Sequence, residues 1–132
     1  MRRELGLRGQ VDAEAVARAL GLSIERRPLL VLEEMRVGDY IMVADRLEPW
    51  WQRWVVAHAI GHCILHPGNH FWMRRHTDLA RAFEREAEDF AYGLLVDPAE
   101  EAEEGLSNSW EVAKHFGVPL EVLRQRELRD TP

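Results

Sequence analysis

Apolar residues recur along this chain with two periods, one typical of helices and one typical of strands. Apolar positions three and four apart predict a helix over residues 11–20, with Asp12 as the cap at its start and Gly21 at its end. A longer stripe with the same spacing predicts a second helix over residues 78–96. Both helices are expected to pack one apolar face against a core.

Between these helices the pattern changes to short runs rich in strand-forming residues. Residues 23–27 alternate, and residues 29–37 and 40–44 form two further runs separated by Gly38-Asp39, a pair typical of a hairpin turn. We therefore predict a small antiparallel sheet. If residues 40–44 form its edge, Tyr40 and Met42 are candidates for pairing with an extended peptide; a core strand is the alternative.

A central helix is predicted from Glu48-Pro49 to Pro67-Gly68, and it is apolar on nearly all sides, which is typical of a buried helix. Within its sequence RWVVAHAIGHCILH, His58 and His62 lie four residues apart. Residues at this spacing are about 40° apart around a helix, so both imidazoles can reach one metal ion. Gly61 leaves room beside the pair for another element or a substrate.

A third ligand is expected from the helix at residues 78–96, where Glu84 is the carboxylate closest to the apolar face. Two histidines and a glutamate form the ligand set of many zinc hydrolases. Two nearer candidates fail on helix geometry. His66 lies about 12 Å along the axis from His58, and Cys63 points about 140° away from it.

Composition limits the class of protein further. The chain has 132 residues with 46% hydrophobic and 30% charged, which suits one soluble domain covering residues 1–132. A net charge of -6 argues against direct binding of nucleic acid by the whole domain. A single cysteine, the lack of an apolar leader and the lack of a membrane-spanning run predict a cytoplasmic protein without membrane association.

The C-terminal third is predicted to be helical but is harder to assign to a function. Residues 98–105 are acidic and are expected to form a solvated helix end or loop. Residues 110–116 and 119–128 predict two short helices broken at Gly117, similar to the turn of a helix-turn-helix. Acidic and basic residues balance there, so DNA recognition is the weaker interpretation.

The segments HAIGHCILH and EREAEDFAYGLL together resemble the ImmA/IrrE family of bacterial and phage metallopeptidases. The family pattern is an RFxxAHELGHxxLH-type helix followed by ExEANxFAxxLLMP, and the resemblance extends over most of the chain. It implies a minimal zincin-like α+β fold, with the sheet packed on a buried metal-binding helix and further helices C-terminal. It also implies one zinc ion held by His58, His62 and Glu84, and a protein or peptide substrate such as a DNA-binding repressor.

One departure from the family pattern bears on mechanism, because Ala59 stands where the family has its catalytic glutamate. That glutamate takes a proton from the attacking water and passes it to the leaving amine, which alanine cannot do. The sequence therefore predicts a metallopeptidase-family domain with impaired hydrolysis. A non-catalytic metal-containing module that binds a repressor-type protein is the alternative. Ala59 is compatible both with an introduced substitution and with a natural pseudo-enzyme.

Overall fold

The fold combines a small sheet with six helices in the part of the chain that the computed structural model describes, residues 7–65 and 77–130. The elements follow one another as α1 (Ala13–Ala19), β1 (Ser23–Arg27), β2 (Glu34–Val37), β3 (Tyr40–Ala44), α2 (Pro49–Leu65), α3 (Thr77–Leu95), α4 (Pro98–Glu103), α5 (Ser109–Phe116) and α6 (Leu120–Asp130). The α+β class predicted from the sequence is confirmed. The predicted end of the central helix at Pro67-Gly68 lies outside the described residues.

The sheet has the strand order β1-β3-β2 and is mixed. Strands β2 and β3 form the predicted antiparallel hairpin, with Val37 opposite Tyr40 at its closed end. Strand β1 runs parallel to β3, with Ser23 opposite Tyr40. The prediction of a wholly antiparallel sheet is therefore wrong for β1, which enters beside β3 on the side away from β2.

The hairpin turn follows the sequence prediction, but β2 is shorter than predicted. Gly38 has a φ of 58°, and no residue other than glycine has a positive φ in the described chain, which is the pattern of a type II′ turn. Of the predicted run 29–37, only Glu34–Val37 is a strand. Arg46 donates to the backbone carbonyls of residues 29, 31 and 32, so these groups are satisfied by a side chain instead of a neighbouring strand.

The core lies where the sheet, α2 and α3 meet. Helix α2 contacts β2, β3 and α1, and its contact with α3 is the most extensive between any two elements. The core includes large side chains exposed by no more than 2%, which are Ile41, Val43, Val56, Ile60, Leu94, Leu95 and Phe116. None of the described helices has the length and apolar character needed to cross a bilayer.

The acidic segment after α3 is less solvated than its composition predicts. Asp97 caps α4 by accepting from the amide of Ala99, and Glu100 is only 2% exposed. The Glu100 carboxylate accepts from the amide of Gly9 at 2.8 Å and pairs with His115 Nε2 at 2.7 Å. A buried carboxylate is costly without partners, and these two contacts supply them from distant parts of the chain.

Arg53 links the central helix to the segment before α1 and to the end of α5. Its guanidinium donates to the carbonyl of Val11 at 2.7 Å, and to the carbonyls of Phe116 at 3.0 Å and Gly117 at 2.6 Å. Gly117 ends α5 in the left-handed conformation, and a Cβ at that position would lie 2.1 Å from Arg53 Nη1. The left-handed φ of 66° and these close side-chain atoms therefore favour glycine where the two C-terminal helices separate.

Candidate metal centre

The two histidines of α2 project side by side toward the same point. Their ring centroids are 4.6 Å apart and the ring planes cross at 86°. The His58 side chain is 14% exposed and that of His62 is 4% exposed. The helix therefore brings two imidazoles together near the surface while shielding both from most of the solvent.

Glu84 completes the group from α3. Its Oε2 lies 3.0 Å from His58 Nε2, and its Oε1 lies 2.7 Å from His62 Nε2. One ligand atom from each of the three residues lies within 4.8 Å of the others. The structure thus brings together all three residues that the sequence singles out for a metal. The Glu84 side chain is 52% exposed and lies on the solvent side of the group.

Gly61 allows α3 to approach α2 closely enough for Glu84 to reach the two histidines. A Cβ at Gly61 would lie 3.1 Å from the carbonyl oxygen of Ala87 and 3.2 Å from the Cβ of Phe90. These distances are shorter than most contacts that real Cβ atoms make, so a side chain would push the two helices apart. The sequence prediction that Gly61 makes room for another element is confirmed.

Replacing Gly61 with alanine is expected to lower the free energy of unfolding by about 1–2 kcal/mol, since overpacking outweighs the higher helix propensity of alanine. Gly93→Ala is the matched control, because a Cβ at Gly93 in α3 meets no atom within 4 Å. That variant is expected to be neutral or up to about 1 kcal/mol more stable. Urea denaturation of both variants measures the difference, and equal stabilities would contradict tight packing at Gly61.

A fourth polar residue, Glu34 of β2, contacts the group from the other side. His58 Nδ1 lies 3.0 Å from Glu34 Oε1, so each ring nitrogen of His58 faces a different carboxylate. Sequence reasoning missed Glu34. A signal was present, since the predicted hairpin turn places Glu34 opposite Val43, and directly opposed residues share a face of the sheet. Val43 is buried, so Glu34 also points toward the helix.

The family of IrrE N-terminal-like domains matches residues 10–127, which is most of the chain. The chain belongs to the IrrE N-terminal-like domain family. This is a peptidase family, and its match establishes a metallopeptidase-family fold. The resemblance to ImmA/IrrE proteins predicted from the sequence is therefore confirmed.

The fold of this IrrE N-terminal-like domain is also found in a solved structure described as a Mycobacterium tuberculosis transcriptional regulator. The two are 20% identical with a TM-score of 0.66, and the match covers 86% of this chain and 39% of that one. The chain thus spans about two-fifths of that regulator, and identity at this level establishes a shared fold alone. A search of curated proteins gave no significant match.

In the IrrE-like site, His58 and Glu84 shift the pKa values of each other. Burial lowers the pKa of His58, but hydrogen bonds to Glu34 and Glu84 outweigh burial and raise it to about 10. Burial raises the pKa of Glu84, and the hydrogen bonds to His58 and His62 more than reverse this, holding it well below its usual range. The two flanking carboxylates therefore favour the protonated form of the His58 imidazole.

A cleft of about 190 Å³ opens beside His58 and Glu84. Besides His58 and Glu84, the cleft is lined by three acidic side chains, one aromatic side chain and one aliphatic side chain. These are Glu33, Glu34, Glu88, Trp54 and Val55. Ala59 does not line this cleft; it is 6% exposed and belongs to the apolar core. The cleft gives the three grouped residues an open, largely acidic concave surface.

The strand predicted to receive a peptide is not at an edge. Tyr40 and Met42 belong to β3, which is paired with β1 on one side and β2 on the other. The edge-strand hypothesis for residues 40–44 is therefore wrong, because their outward backbone groups are already used by β1. Of the two edge strands in the described sheet, β2 is the one that contacts the candidate metal site, through Glu34.

Proposed function

We propose that this chain is a zinc metallopeptidase-family domain that holds one zinc ion through His58, His62 and Glu84. The observation that supports this most directly is the convergence of three ligand atoms from two helices within 4.8 Å. Imidazole nitrogens with a carboxylate oxygen form a donor set that suits zinc. The proposal includes weak or absent hydrolysis by the chain as written.

The residues fit such an ion chemically. The Nε2 atoms of both histidines and both oxygens of Glu84 face one another, so the side chains need little rearrangement to share a cation. Zinc in a site of this kind supplies Lewis-acid activation of water for attack on a peptide carbonyl. The exposed position of Glu84 leaves one side of the site open to a substrate in the cleft.

The missing part is a base for the attacking water. Ala59 follows His58 on the helix and offers only a methyl group. Glu34 contacts the Nδ1 side of His58, on the opposite edge of the ring from Glu84, so it does not stand in for that base. A positioned general acid–base group contributes roughly 10²–10⁴-fold in rate, and this chain lacks that contribution.

The edge of β2 is where we place an extended peptide. Ala44 donates to the carbonyl of Glu33, and in an antiparallel ladder such bonded positions alternate. The backbone groups of Met35 and Val37 therefore face β3, while those of Glu34 and Arg36 face outward. A peptide pairing with Glu34 and Arg36 would run beside the cleft and past the metal centre.

A second function is favoured by Ala59 itself. A domain that retains the metal group and cleft but lacks the base can bind a protein without cleaving it. Such a module would hold an extended segment of a regulatory protein at β2, and the candidate partner is a DNA-binding repressor. One solved structure with this fold is described as a transcriptional regulator, which is consistent with a regulatory setting.

Calorimetric titration of the chelator-treated chain with zinc tests the proposed metal site. We expect one ion per chain, and metal analysis of protein purified without added metal is expected to give a similar content. A content below about 0.2 ions per chain, together with no heat of binding, would rule out the proposed site.

The same titration is expected to show release of about one proton per zinc at pH 7.5, because the raised pKa of His58 favours its protonated form and zinc must displace that proton. Apparent affinity should then rise about tenfold per pH unit between pH 7 and 9. Since the pKa of His58 is raised by folding, the metal-free chain should lose stability as pH rises from about 6.5 to about 10. Titrations in buffers of different ionisation enthalpy measure the proton count, and a count of zero would contradict this protonation state.

A further inference from the structure

Glu34 and His58 form a shielded contact between the edge strand and the metal-bearing helix. Glu34 Oε1 lies 3.0 Å from His58 Nδ1, and the two side chains are 27% and 14% exposed. The other carboxylate oxygen, Oε2, is buried without a hydrogen-bond partner among the described residues. Within that part of the chain, His58 therefore supplies the hydrogen bond that offsets the burial of this carboxylate.

The contact matters because a neutral imidazole carries its proton on only one nitrogen. A histidine that offers the lone pair of Nε2 to a metal must hold its proton on Nδ1, and that proton needs an acceptor. Glu34 is this acceptor, while Glu84 faces the opposite nitrogen. Glu34 thus accepts the proton of Nδ1, while Nε2 on the other side of the same ring is available to a metal.

We propose that Glu34 is a positioning residue of the metal centre, which fixes the tautomer and the ring orientation of His58 so that Nε2 faces the ion. This inference rests on the proposed function. Carboxylates that accept from a metal-ligating histidine raise its basicity and hold its ring in place. Glu34 would do so from a strand 24 residues before the helix position it serves.

The other carboxylates around the cleft do not share this role. Glu33 accepts from Trp51 Nε1 at 2.7 Å and so is directed at the indole. Glu88 lines the same cleft, and no hydrogen bond between it and either histidine is found in the described residues. Glu88 therefore carries the same charge beside the same cleft but is exposed and makes no such contact, which makes Glu88→Gln the control for a change in charge alone.

The test is the zinc affinity of the full chain, measured by competition with a chromophoric chelator after metal removal. Glu34→Ala is expected to weaken binding by roughly 10–100-fold. Glu34→Gln should lie between that variant and the parent, because its amide oxygen still accepts from Nδ1 but carries no charge. Glu88→Gln is expected to stay within about threefold of the parent. Absorption spectra of the Co²⁺-loaded chains should change for Glu34→Ala and not for Glu88→Gln.

The outcomes separate this inference from the proposed function. If the parent binds zinc and Glu34→Ala and Glu34→Gln both bind within about threefold of it, the positioning role is overturned and the metal site stands. Equal losses in Glu34→Gln and Glu88→Gln would also overturn it, because charge alone would then explain the effect. A purely structural role would lower the unfolding midpoint of the metal-free chain and leave the cobalt spectrum unchanged. A parent chain that binds no zinc would overturn both proposals.

Discussion

Replacing Ala59 with glutamate is expected to raise the rate of peptide hydrolysis by the zinc-loaded chain by roughly 10²–10⁴-fold. The substitution puts a carboxylate next to His58 on the same helix, at the position where HExxH hydrolases carry their proton acceptor. Zinc affinity should change much less than the rate, because none of the three proposed ligands is altered. A library of quenched fluorescent peptides, assayed with and without chelator, measures the gain.

The matched control is Ala59→Gln, which adds nearly the same volume without a proton acceptor. It is expected to cleave no faster than the parent. Equal gains for glutamine and glutamate would show that packing around position 59 had changed, instead of proton transfer. If Ala59→Glu binds zinc and a candidate partner but cleaves nothing, the interaction-module hypothesis gains and the peptidase hypothesis fails.

Zinc in thousandfold excess over its dissociation constant is expected to stabilise the chain by about 4 kcal/mol. For a domain of this size that raises the unfolding midpoint by roughly 10–15 °C. His62→Ala should abolish the increase, because it removes one of the three proposed ligands. Glu84→Ala should do the same with less disturbance of packing, because its side chain is 52% exposed. Thermal unfolding followed by circular dichroism, with and without zinc, provides the comparison.

Cys63→Ala is the control for adventitious thiol binding. Cys63 is the single cysteine of the chain, and it does not belong to the group of residues able to share a metal. The zinc-dependent rise should persist in this variant. A rise that disappears with Cys63 and survives in His62→Ala would place the ion elsewhere and remove the basis of the proposed function.

The sequence predicts the relative positions of functional residues where these positions depend on a single helix. His58 and His62 lie on one face because the helical period fixes the angle between them. Glu84 was predictable as well, since the apolar stripe of α3 shows which side of that helix faces the core. The distance between α2 and α3 was not predictable in detail, although Gly61 indicated a close approach.

Residues whose role depends on distant elements were not predicted. Glu34 reaches His58 only because the hairpin lies beside α2, and helix or strand periods do not specify that arrangement. Glu100 was expected to be solvated because of its acidic neighbours, yet its partners lie 91 and 15 residues away. The sequence left open whether β3 lies at an edge or inside the sheet, and the structure confirms the core strand, since β1 adds in parallel beside it.

Arg53 gives the domain a mechanical property that follows from its three carbonyl partners. It precedes His58 by little more than one helical turn, and it holds the end of α5 and the segment before α1 at the same time. Helices α5 and α6 cannot leave the body of the domain without breaking contacts to the helix that carries both histidines. We therefore expect the C-terminal helices and α2 to unfold together. We expect a binding partner that displaces the C-terminal helices to disturb α2, the helix on which His58 and His62 lie.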